Sequence, residues 1–301
     1  MKVKTPNVVI VGAPRCGTTS VFDYLSDHFD VCPSRVKETY FLMDQDYPLY
    51  NKEMPSYHKD GLSGYGYFFT HCSNIEGKIL LEATPDYLYQ TTALKVLPSL
   101  PGVKLIFILR KPSERIWSLY QFAKNNAAVL PPNISFRTFV EMVKRRDNLL
   151  TNRPILQNAI NHSQYIRYLL PYKKRCAEGQ MLIYLFEHLK KAPYQFMLKL
   201  CSDITIDGRY FETYNFQPKN VSYSLRNQYL HKAKRKISFL LPNLFLRRNV
   251  FLKRFYYRIN TKQDNKKNDE ESEYLTLLEA EFHSYNQRLA SEMNIDLKLW
   301  E

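Results

Sequence analysis

Short apolar runs along the chain alternate with stretches of helical periodicity. The apolar runs predict four strands, at residues 8–11, 79–81, 103–109 and 181–186. Helical stretches follow three of them, at residues 19–29, 86–97 and 113–123. Strand, loop and helix in this recurring order are typical of parallel strands joined by crossover helices. We therefore expect an α/β fold, a parallel sheet with helices on both faces, whose ligand binds beyond the carboxyl ends of the strands.

The later part of the chain differs in composition from this repeating region. Residues 124–179 form a long insertion between the third and fourth strands, with helical patterns at 136–150 and 164–170. Further on, residues 226–267 carry thirteen Lys or Arg and one acid, whereas residues 268–301 carry nine acids and two bases. We expect one domain over residues 1–301, with a core of about 1–225, a basic helical region and an acidic C-terminal helix packed on it.

Composition and charge narrow the classes of function. Of the 301 residues, 45% are apolar and 24% are charged, as in ordinary globular proteins, and the net charge of +14 predicts an anionic partner. No apolar run reaches the roughly 18 residues of a membrane span, and no leader segment is visible. Five cysteines without a C-x-x-C pair predict neither a disulfide framework nor a metal site. We expect a cytoplasmic protein.

A glycine loop follows the first predicted strand and precedes the first predicted helix. Residues 12–20 read G-A-P-R-C-G-T-T-S. Glycines permit close backbone approach, and a helix N-terminus attracts anions, so this loop is a candidate phosphate site. Thr18 stands where a nucleoside triphosphatase needs a lysine, which disfavours ATP hydrolysis. The candidate ligand-binding residues are Arg15, Cys16, Gly17, Thr18, Thr19 and Ser20.

Two motifs together resemble the sulfotransferases that use 3′-phosphoadenosine 5′-phosphosulfate (PAPS). The P-R-C-G-T-T sequence of residues 14–19 is similar to the loop that binds the 5′-phosphosulfate in that family. Residues 104–118 are similar to its 3′-phosphate motif, in which a strand ends in an arginine, here Arg110, and a serine follows eight positions later, here Ser118. The resemblance implies a P-loop-like, nucleotide-kinase-like fold, with PAPS as donor, PAP as product and no metal requirement.

Three weaker similarities point to the branch that includes heparan sulfate and bacterial glycan sulfotransferases. They are K-E-T-Y-F at residues 37–41, L-E-A-T-P-D-Y at 81–87 and the segment 183–189. Two positions depart from that branch: Ala83 stands where a lysine is common, and Arg15 replaces the usual loop lysine. The resemblance implies transfer of a sulfuryl group to a hydroxyl or amine of a carbohydrate or glycolipid.

The chemistry of this transfer suggests roles for individual residues. It needs a base for the acceptor proton and positive charge at the leaving oxygen. The resemblance places Glu38 as the base, with Lys37 assisting at the sulfate and Arg15 stabilising the leaving phosphate. His58 and His71 are competing candidates for the base. Lys219 and Arg226 are secondary phosphate-binding candidates, because related enzymes close a loop over the nucleotide in this region.

The basic segment at residues 231–267 interleaves cations with aromatic and aliphatic side chains. This pattern is typical of peripheral contact with an anionic membrane, of an acidic-glycan surface or of a helical subdomain with a solvated basic face. Two other functions remain open. One is a P-loop nucleotide or small-molecule kinase, and the other is a nucleic-acid-binding protein, argued from the charge alone. The sequence contains no nucleic-acid-binding motif, so we expect no nucleic-acid partner.

Overall fold

A five-stranded parallel sheet organises the fold. The structure, a computed structural model, describes residues 4–73, 75–217, 224–225, 261–262 and 267–301. The strand order is β2-β3-β1-β4-β5 and every pairing is parallel. The strands are β1 (Val8–Gly12), β2 (Val31–Pro33), β3 (Ile79–Ala83), β4 (Lys104–Leu109) and β5 (Met181–Leu185). The predicted α/β class is confirmed.

The sheet is parallel and buried because its central strands are apolar on both faces. All five residues of β1 are buried, and so are all residues of β4 except Lys104. Such strands need helices on each face to exclude water. After β1 the chain moves to one side for β2 and β3, then returns to the other side for β4 and β5. The order therefore reverses beside β1, which is where ligands bind in open α/β sheets.

The helices follow the strands much as the pattern predicts. They are α1 (Thr18–Ser26), α2 (Tyr57–Asp60), α3 (Thr91–Val96), α4 (Pro112–Gln121), α5 (Phe136–Arg145), α6 (Pro154–Gln157), α7 (Ile166–Lys173), α8 (Phe186–Lys191), α9 (Pro193–Asp203) and α10 (Asp269–Met293). A short antiparallel pair of strands is formed by Ser224–Leu225 and Thr261–Lys262. Among the described residues, no helix has the length and apolar character needed to cross a membrane.

Several predicted boundaries were wrong. The stretch 86–97 is not one helix, because a 3-10 turn at Pro85–Tyr89 precedes α3. The helix predicted over 136–150 ends at Arg145, since Arg146 adopts the left-handed conformation with φ of 55°. Strand β2 was missed because it has only three residues and ends in proline.

The chain divides into two compact units. One comprises Met1–Lys111, Gln164–Asn220 and Phe282–Glu301, and it holds the sheet and the main core. The other comprises Pro112–Ser163 and Val221–Glu281. The arrangement expected from the sequence, one domain with both tail segments on its core, stays a prediction.

Aromatic side chains and a buried cation organise the second unit. The Trp117 and Phe136 rings meet edge to face, with centroids 5.0 Å apart. The fully buried Arg115 donates from Nη1 to Oγ of Ser163 at 2.8 Å and to the carbonyl of Ala159 at 3.3 Å. These hydrogen bonds compensate part of the cost of burying a guanidinium.

A disulfide joins Cys32 to Cys72, contrary to the sequence expectation. The two cysteines are 40 residues apart, and the fold brings their Cα atoms to 6.1 Å. The sequence could not show this pair, because its spacing matches no disulfide pattern and depends on how the segment after β2 folds back. Cys16, Cys176 and Cys201 are not disulfide-bonded.

Candidate active site

The carboxyl ends of the strands lie at one edge of the sheet in the first unit. Ile10 of β1 lies beside Ala83 of β3, and Leu109 of β4 lies beside Leu185 of β5. Parallel strands end at the same edge, so the loops that leave them are neighbours. The glycine loop, the 81–87 motif, Arg110 and the 183–189 motif all start from this edge.

The glycine loop has the backbone of an anion site. Gly17 is the N-cap of α1 and has a positive φ of 82°. It has no side chain that could cap the helix, and no acid lies in the first turn. Arg15 also has a positive φ, 70°. The positive end of α1 therefore has no side-chain anion from its own first turn, which suits a bound phosphate.

Burial separates the loop residues into two groups. Cys16, Thr18 and Ser20 are buried, whereas Arg15 and Thr19 are partly exposed. Sγ of Cys16 lies 3.7 Å from the phenol oxygen of Tyr165. Cys16 is therefore a packed residue of the loop, and the cation and one hydroxyl of the motif are those with access to solvent.

Phe186 and Tyr165 join the two predicted phosphate motifs. The guanidinium carbon of Arg110 lies 4.9 Å from the centroid of the Phe186 ring. A Cβ at Gly17 would lie 2.7 Å from Cδ2 of Phe186, so the same ring packs on the glycine loop. The Tyr165 hydroxyl, near Cys16, donates to the carbonyl of Arg110 at 2.8 Å. The ring of Phe186 thus lies against both the glycine loop and Arg110, and the binding of one nucleotide by these residues stays a prediction.

Other predicted phosphate contacts stay predictions. Ser118 is buried in α4, which belongs to the second unit, so its sharing of one phosphate with Arg110 of the first unit stays a prediction. Lys219 and Arg226 lie outside the described residues, as does most of the basic segment 231–267.

Glu38 is held from both sides by neighbouring residues. Nζ of Lys37 lies 2.6 Å from Oε1, and the Tyr40 hydroxyl donates to Oε2 at 2.6 Å. Burial, followed by the charge of Glu38, raises the pKa of Tyr40 far above its usual range, so this phenol remains a donor at physiological pH. The Glu38 side chain is 37% exposed. Its carboxylate is oriented yet accessible.

Glu82, to which sequence reasoning assigned no role, is completely buried behind this segment. Its Oε1 accepts from the hydroxyls of Thr84, at 2.6 Å, and Thr39, at 2.8 Å. Desolvation raises the pKa of Glu82 to about 7, although these hydrogen bonds lower it. Oε2 has no hydrogen-bond partner among the described residues.

The near-terminal tryptophan meets the 183–189 motif. The indole N–H of Trp300 donates to Oε2 of Glu187 at 2.9 Å, and Oε1 of the same carboxylate accepts from the backbone N–H of Lys111 at 2.9 Å. Glu187 therefore ties the C-terminus to the residue that follows Arg110.

The two histidines considered as bases have other contacts. His58 Nε2 is 3.2 Å from both the carbonyl of Met43 and Oγ1 of Thr92. His71 Nε2 lies 3.8 Å from each sulfur of the Cys32–Cys72 pair. In the described part of the chain, Cys32, His71 and Cys72 form one group whose ligand atoms are close enough to hold a metal ion, contrary to the sequence expectation of no such cluster. Because the two sulfurs are bonded to each other, neither is a thiolate that could bind a metal.

Sequence reasoning missed Phe186, Tyr165 and Glu82 as parts of the site. Phe186 directly follows β5, and an aromatic residue at this position is usually a member of the hydrophobic core. Tyr165 lies in the insertion far from either motif. Only Glu82 carried a signal, because an acid at the end of an otherwise apolar strand requires buried partners.

Comparison with known proteins identifies the family. The sulfotransferase domain family matches residues 5–238. The crystal structure of a sulfotransferase from Alicyclobacillus acidocaldarius superposes with a TM-score of 0.67 over 99% of both chains, at 20% identity. This likeness confirms the P-loop-like sulfotransferase fold.

Two curated relatives are similar over shorter regions. The membrane-associated sulfotransferase kil1 of Dictyostelium discoideum is 32% identical over 120 residues, 39% of this chain and 23% of that protein. The human bifunctional heparan sulfate N-deacetylase/N-sulfotransferase 2 is 26% identical over 191 residues, 63% of this chain and 21% of that protein. The chain therefore spans less than a quarter of the length of either relative.

The family match includes the glycine loop and the Arg110 strand, the two features that the structure brings together around Phe186. The kinase alternative requires a loop lysine at the position that Thr18 occupies in this chain. The chain belongs to the sulfotransferase domain family.

Proposed function

We propose that the chain transfers a sulfuryl group from PAPS to a hydroxyl or amine of a carbohydrate or glycolipid. The observation that carries this proposal is the position of Phe186, which contacts both Gly17 and Arg110. The Phe186 ring thus holds the glycine loop and Arg110 at a fixed separation. A ligand with a phosphate at each end requires two anion-binding regions at such a fixed separation.

The residues at each end suit different phosphates of the donor. Arg15, Thr18, Thr19 and the N-terminus of α1 hold the 5′ end, where PAPS supplies the sulfuryl group and the phosphate on which charge accumulates. Positive charge aimed at that oxygen lowers the barrier. Arg110, with Ser118 as its predicted companion, holds the 3′-phosphate through charge-assisted hydrogen bonds.

Glu38 is the proposed base for the acceptor proton. Its two oxygens already accept from Lys37 and Tyr40. A carboxylate has about four lone-pair sites, so one site on each oxygen is left for an acceptor hydroxyl or amine. Lys37 places positive charge beside the carboxylate, where the resemblance also places the transferred sulfate.

The name of one relative supports the acceptor class. One relative is described as acting on heparan sulfate, and the similarities at residues 37–41, 81–87 and 183–189 point the same way. The net charge of +14 favours an acidic polymer. A cytoplasmic location with peripheral membrane contact through residues 231–267 stays a prediction. The disulfide weighs against a reducing compartment.

The test is incubation with radiolabelled PAPS and a panel of N-desulfated heparan sulfate, glycolipids and phenols. We expect label in the glycan or glycolipid fraction and its loss in Glu38→Gln. Label only in phenols would refute the acceptor class. Failure to transfer label to any acceptor, together with no binding of PAP, would refute the donor.

A further inference from the structure

A buried network connects β3 to the segment that carries Glu38. Its members are Glu82, Thr84, Thr39 and Tyr87, which are each at most 3% exposed. Polar side chains buried this deeply are costly unless they satisfy one another. The direction of each hydrogen bond in this group follows from Oε1 of Glu82, which accepts from two hydroxyls. An oxygen that carries no proton, in a carboxylate or in the carbonyl of a neutral carboxylic acid, can only accept.

Oε1 of Glu82 takes the protons of two hydroxyls, those of Thr84 and Thr39. Each hydroxyl has one proton and two lone pairs, so both oxygens must then act as acceptors toward everything else. The Tyr87 hydroxyl, 3.1 Å from Oγ1 of Thr39, therefore donates to it. Tyr87 in turn keeps its own lone pairs for another donor.

The donors are four consecutive backbone N–H groups. Those of Thr39 and Tyr40 donate to Oγ1 of Thr84, at 3.1 and 3.4 Å. That of Phe41 donates to Oγ1 of Thr39 at 3.3 Å, and that of Leu42 to the Tyr87 hydroxyl at 3.1 Å. Every one of these bonds depends on hydroxyl orientations that Glu82 fixes.

The segment held in this way adjoins Glu38 directly. Tyr40, whose hydroxyl donates to Glu38, has a positive φ of 54°, a conformation that side chains other than glycine seldom adopt without support. The hydrogen bonds to Thr39 and Tyr40 supply that support from the end of β3.

We propose that Glu82 is a positioning residue, which orients the hydroxyls of Thr84, Thr39 and Tyr87 so that they hold the 39–42 backbone and thereby place Glu38. This role requires that Oε1 accept the hydrogen bonds from Thr84 and Thr39. A neutral carboxylic acid whose proton is on Oε2, or a glutamine amide oxygen, accepts in the same way, whereas a methionine of similar size does not. The positioning of the 39–42 backbone by Glu82 does not depend on which reaction the protein catalyses. Its effect on catalysis through Glu38 rests on the proposed function.

The test compares Glu82→Gln with Glu82→Met by NMR-detected amide exchange in the full chain. We expect the amides of residues 39–42 to exchange at least about tenfold faster in Glu82→Met and within about threefold of the wild-type rate in Glu82→Gln. Wild-type exchange in Glu82→Met would overturn the proposal, and so would equally fast exchange in both variants, which would mean that charge rather than acceptance matters.

A second variant covers the case in which Glu82→Met does not fold. Thr84→Val removes the acceptor for the Thr39 and Tyr40 amides and one of the two hydroxyls that donate to Glu82. The Thr39 hydroxyl still donates to Glu82, so we expect faster exchange at these two amides and an unchanged rate at Leu42. Unchanged exchange at Thr39 and Tyr40 would contradict the network. The control is Thr92→Val, which removes another buried threonine hydroxyl, one that contacts His58 instead.

A catalytic readout links the network to Glu38. With radiolabelled PAPS and N-desulfated heparan sulfate, kcat should fall about tenfold or more in Glu82→Met, while PAP affinity stays unchanged. In Glu82→Gln, kcat should stay near the wild-type value. A wild-type kcat in Glu82→Met, despite faster exchange, would refute the placement of Glu38. If no acceptor is found for the wild type, the exchange data still decide the positioning role, so failure of the two proposals is distinguishable.

Discussion

The guanidinium of Arg110 lies over the ring of Phe186, with 4.9 Å between its central carbon and the ring centroid. The same ring packs against Gly17 of the glycine loop. A cation held over an aromatic face loses less freedom when it binds an anion than a solvated side chain does. This contact joins two motifs that are distant in the sequence at the place where we propose that the nucleotide binds.

Replacing Arg110 should remove the preference for a 3′-phosphate. Arg110→Ala loses charge-assisted hydrogen bonds, so we expect PAP affinity to fall about 10- to 100-fold. The affinity for AMP, which lacks the 3′-phosphate, should change little. Calorimetry with both nucleotides measures this difference. Arg209→Ala is the control, because that arginine is exposed and paired with Asp207. Equal losses for PAP and AMP would place the 3′-phosphate elsewhere.

Replacing Glu38 should affect turnover and leave nucleotide binding intact. Removing a general base costs about 10²–10⁴ in rate, so Glu38→Gln should show a loss of that size in label transfer. PAP affinity should stay within about twofold, because the carboxylate does not contact the phosphates in this account. Glu53→Gln changes an exposed glutamate of the same connection and serves as control. Wild-type turnover in Glu38→Gln would exclude this residue as the base and return attention to the histidines.

The contact of Gly17 with Phe186 predicts a stability effect. Gly17 and Gly77 both have positive φ, 82° and 73°, but an added Cβ meets Phe186 only at Gly17, and at Gly77 it meets nothing within 4 Å. Each alanine variant should lose roughly 1–2 kcal/mol from backbone strain. Gly17→Ala should lose about 1–3 kcal/mol more through overpacking. Denaturant unfolding of both variants checks this, and equal losses would show that the ring yields without cost.

The buried Glu82 predicts how stability depends on pH. Its pKa is about 7 in the folded state against a usual value of 4.5, so between these values the folded state binds more protons than the unfolded state. The free energy of unfolding should therefore fall as pH rises through this window, by roughly 3 kcal/mol for this group. Glu82→Gln should remove that part of the slope, whereas Glu76→Gln, at an exposed site, should not. If the free energy of unfolding depended on pH in the same way in wild type and Glu82→Gln, the raised pKa would be contradicted.

The disulfide predicts a redox-dependent stability. Closing a 40-residue loop restricts the unfolded chain and is worth about 4 kcal/mol. Wild type should lose about this amount in reductant, while the Cys32→Ser/Cys72→Ser double variant should be insensitive. Cys176→Ser, which removes a cysteine outside the disulfide, should behave as wild type. Equal stability of wild type with and without reductant would show that the bridge does not form in solution.

The sheet could be predicted because its inner strands are unbroken apolar runs. Residues 103–109 have no other plausible state, and Arg110 at their end marks the edge where ligands bind. By contrast, the short edge strand β2 lacks such a run. A strand of three residues gains its stability from its partner, here β3, and carries little pattern of its own.

The site was predictable where local motifs carry the chemistry and unpredictable where tertiary contacts do. Gly17 and Arg110 stand in recognisable sequences, but Phe186 connects them only through the pairing of β4 with β5. Glu82 forms its network because the segment after β2 folds over the end of β3. The disulfide depends on the same folding back, so its spacing along the chain carries no signal.

We propose that the glycine loop and Arg110 hold opposite ends of one nucleotide. The most direct measurement is calorimetric titration of the full chain with PAP, beside Arg15→Ala, Arg110→Ala and the double variant. We expect one PAP bound per chain, weaker binding in each single variant and the weakest binding in the double variant. Wild-type PAP affinity in either single variant, or no binding by the unaltered chain, would contradict this proposal.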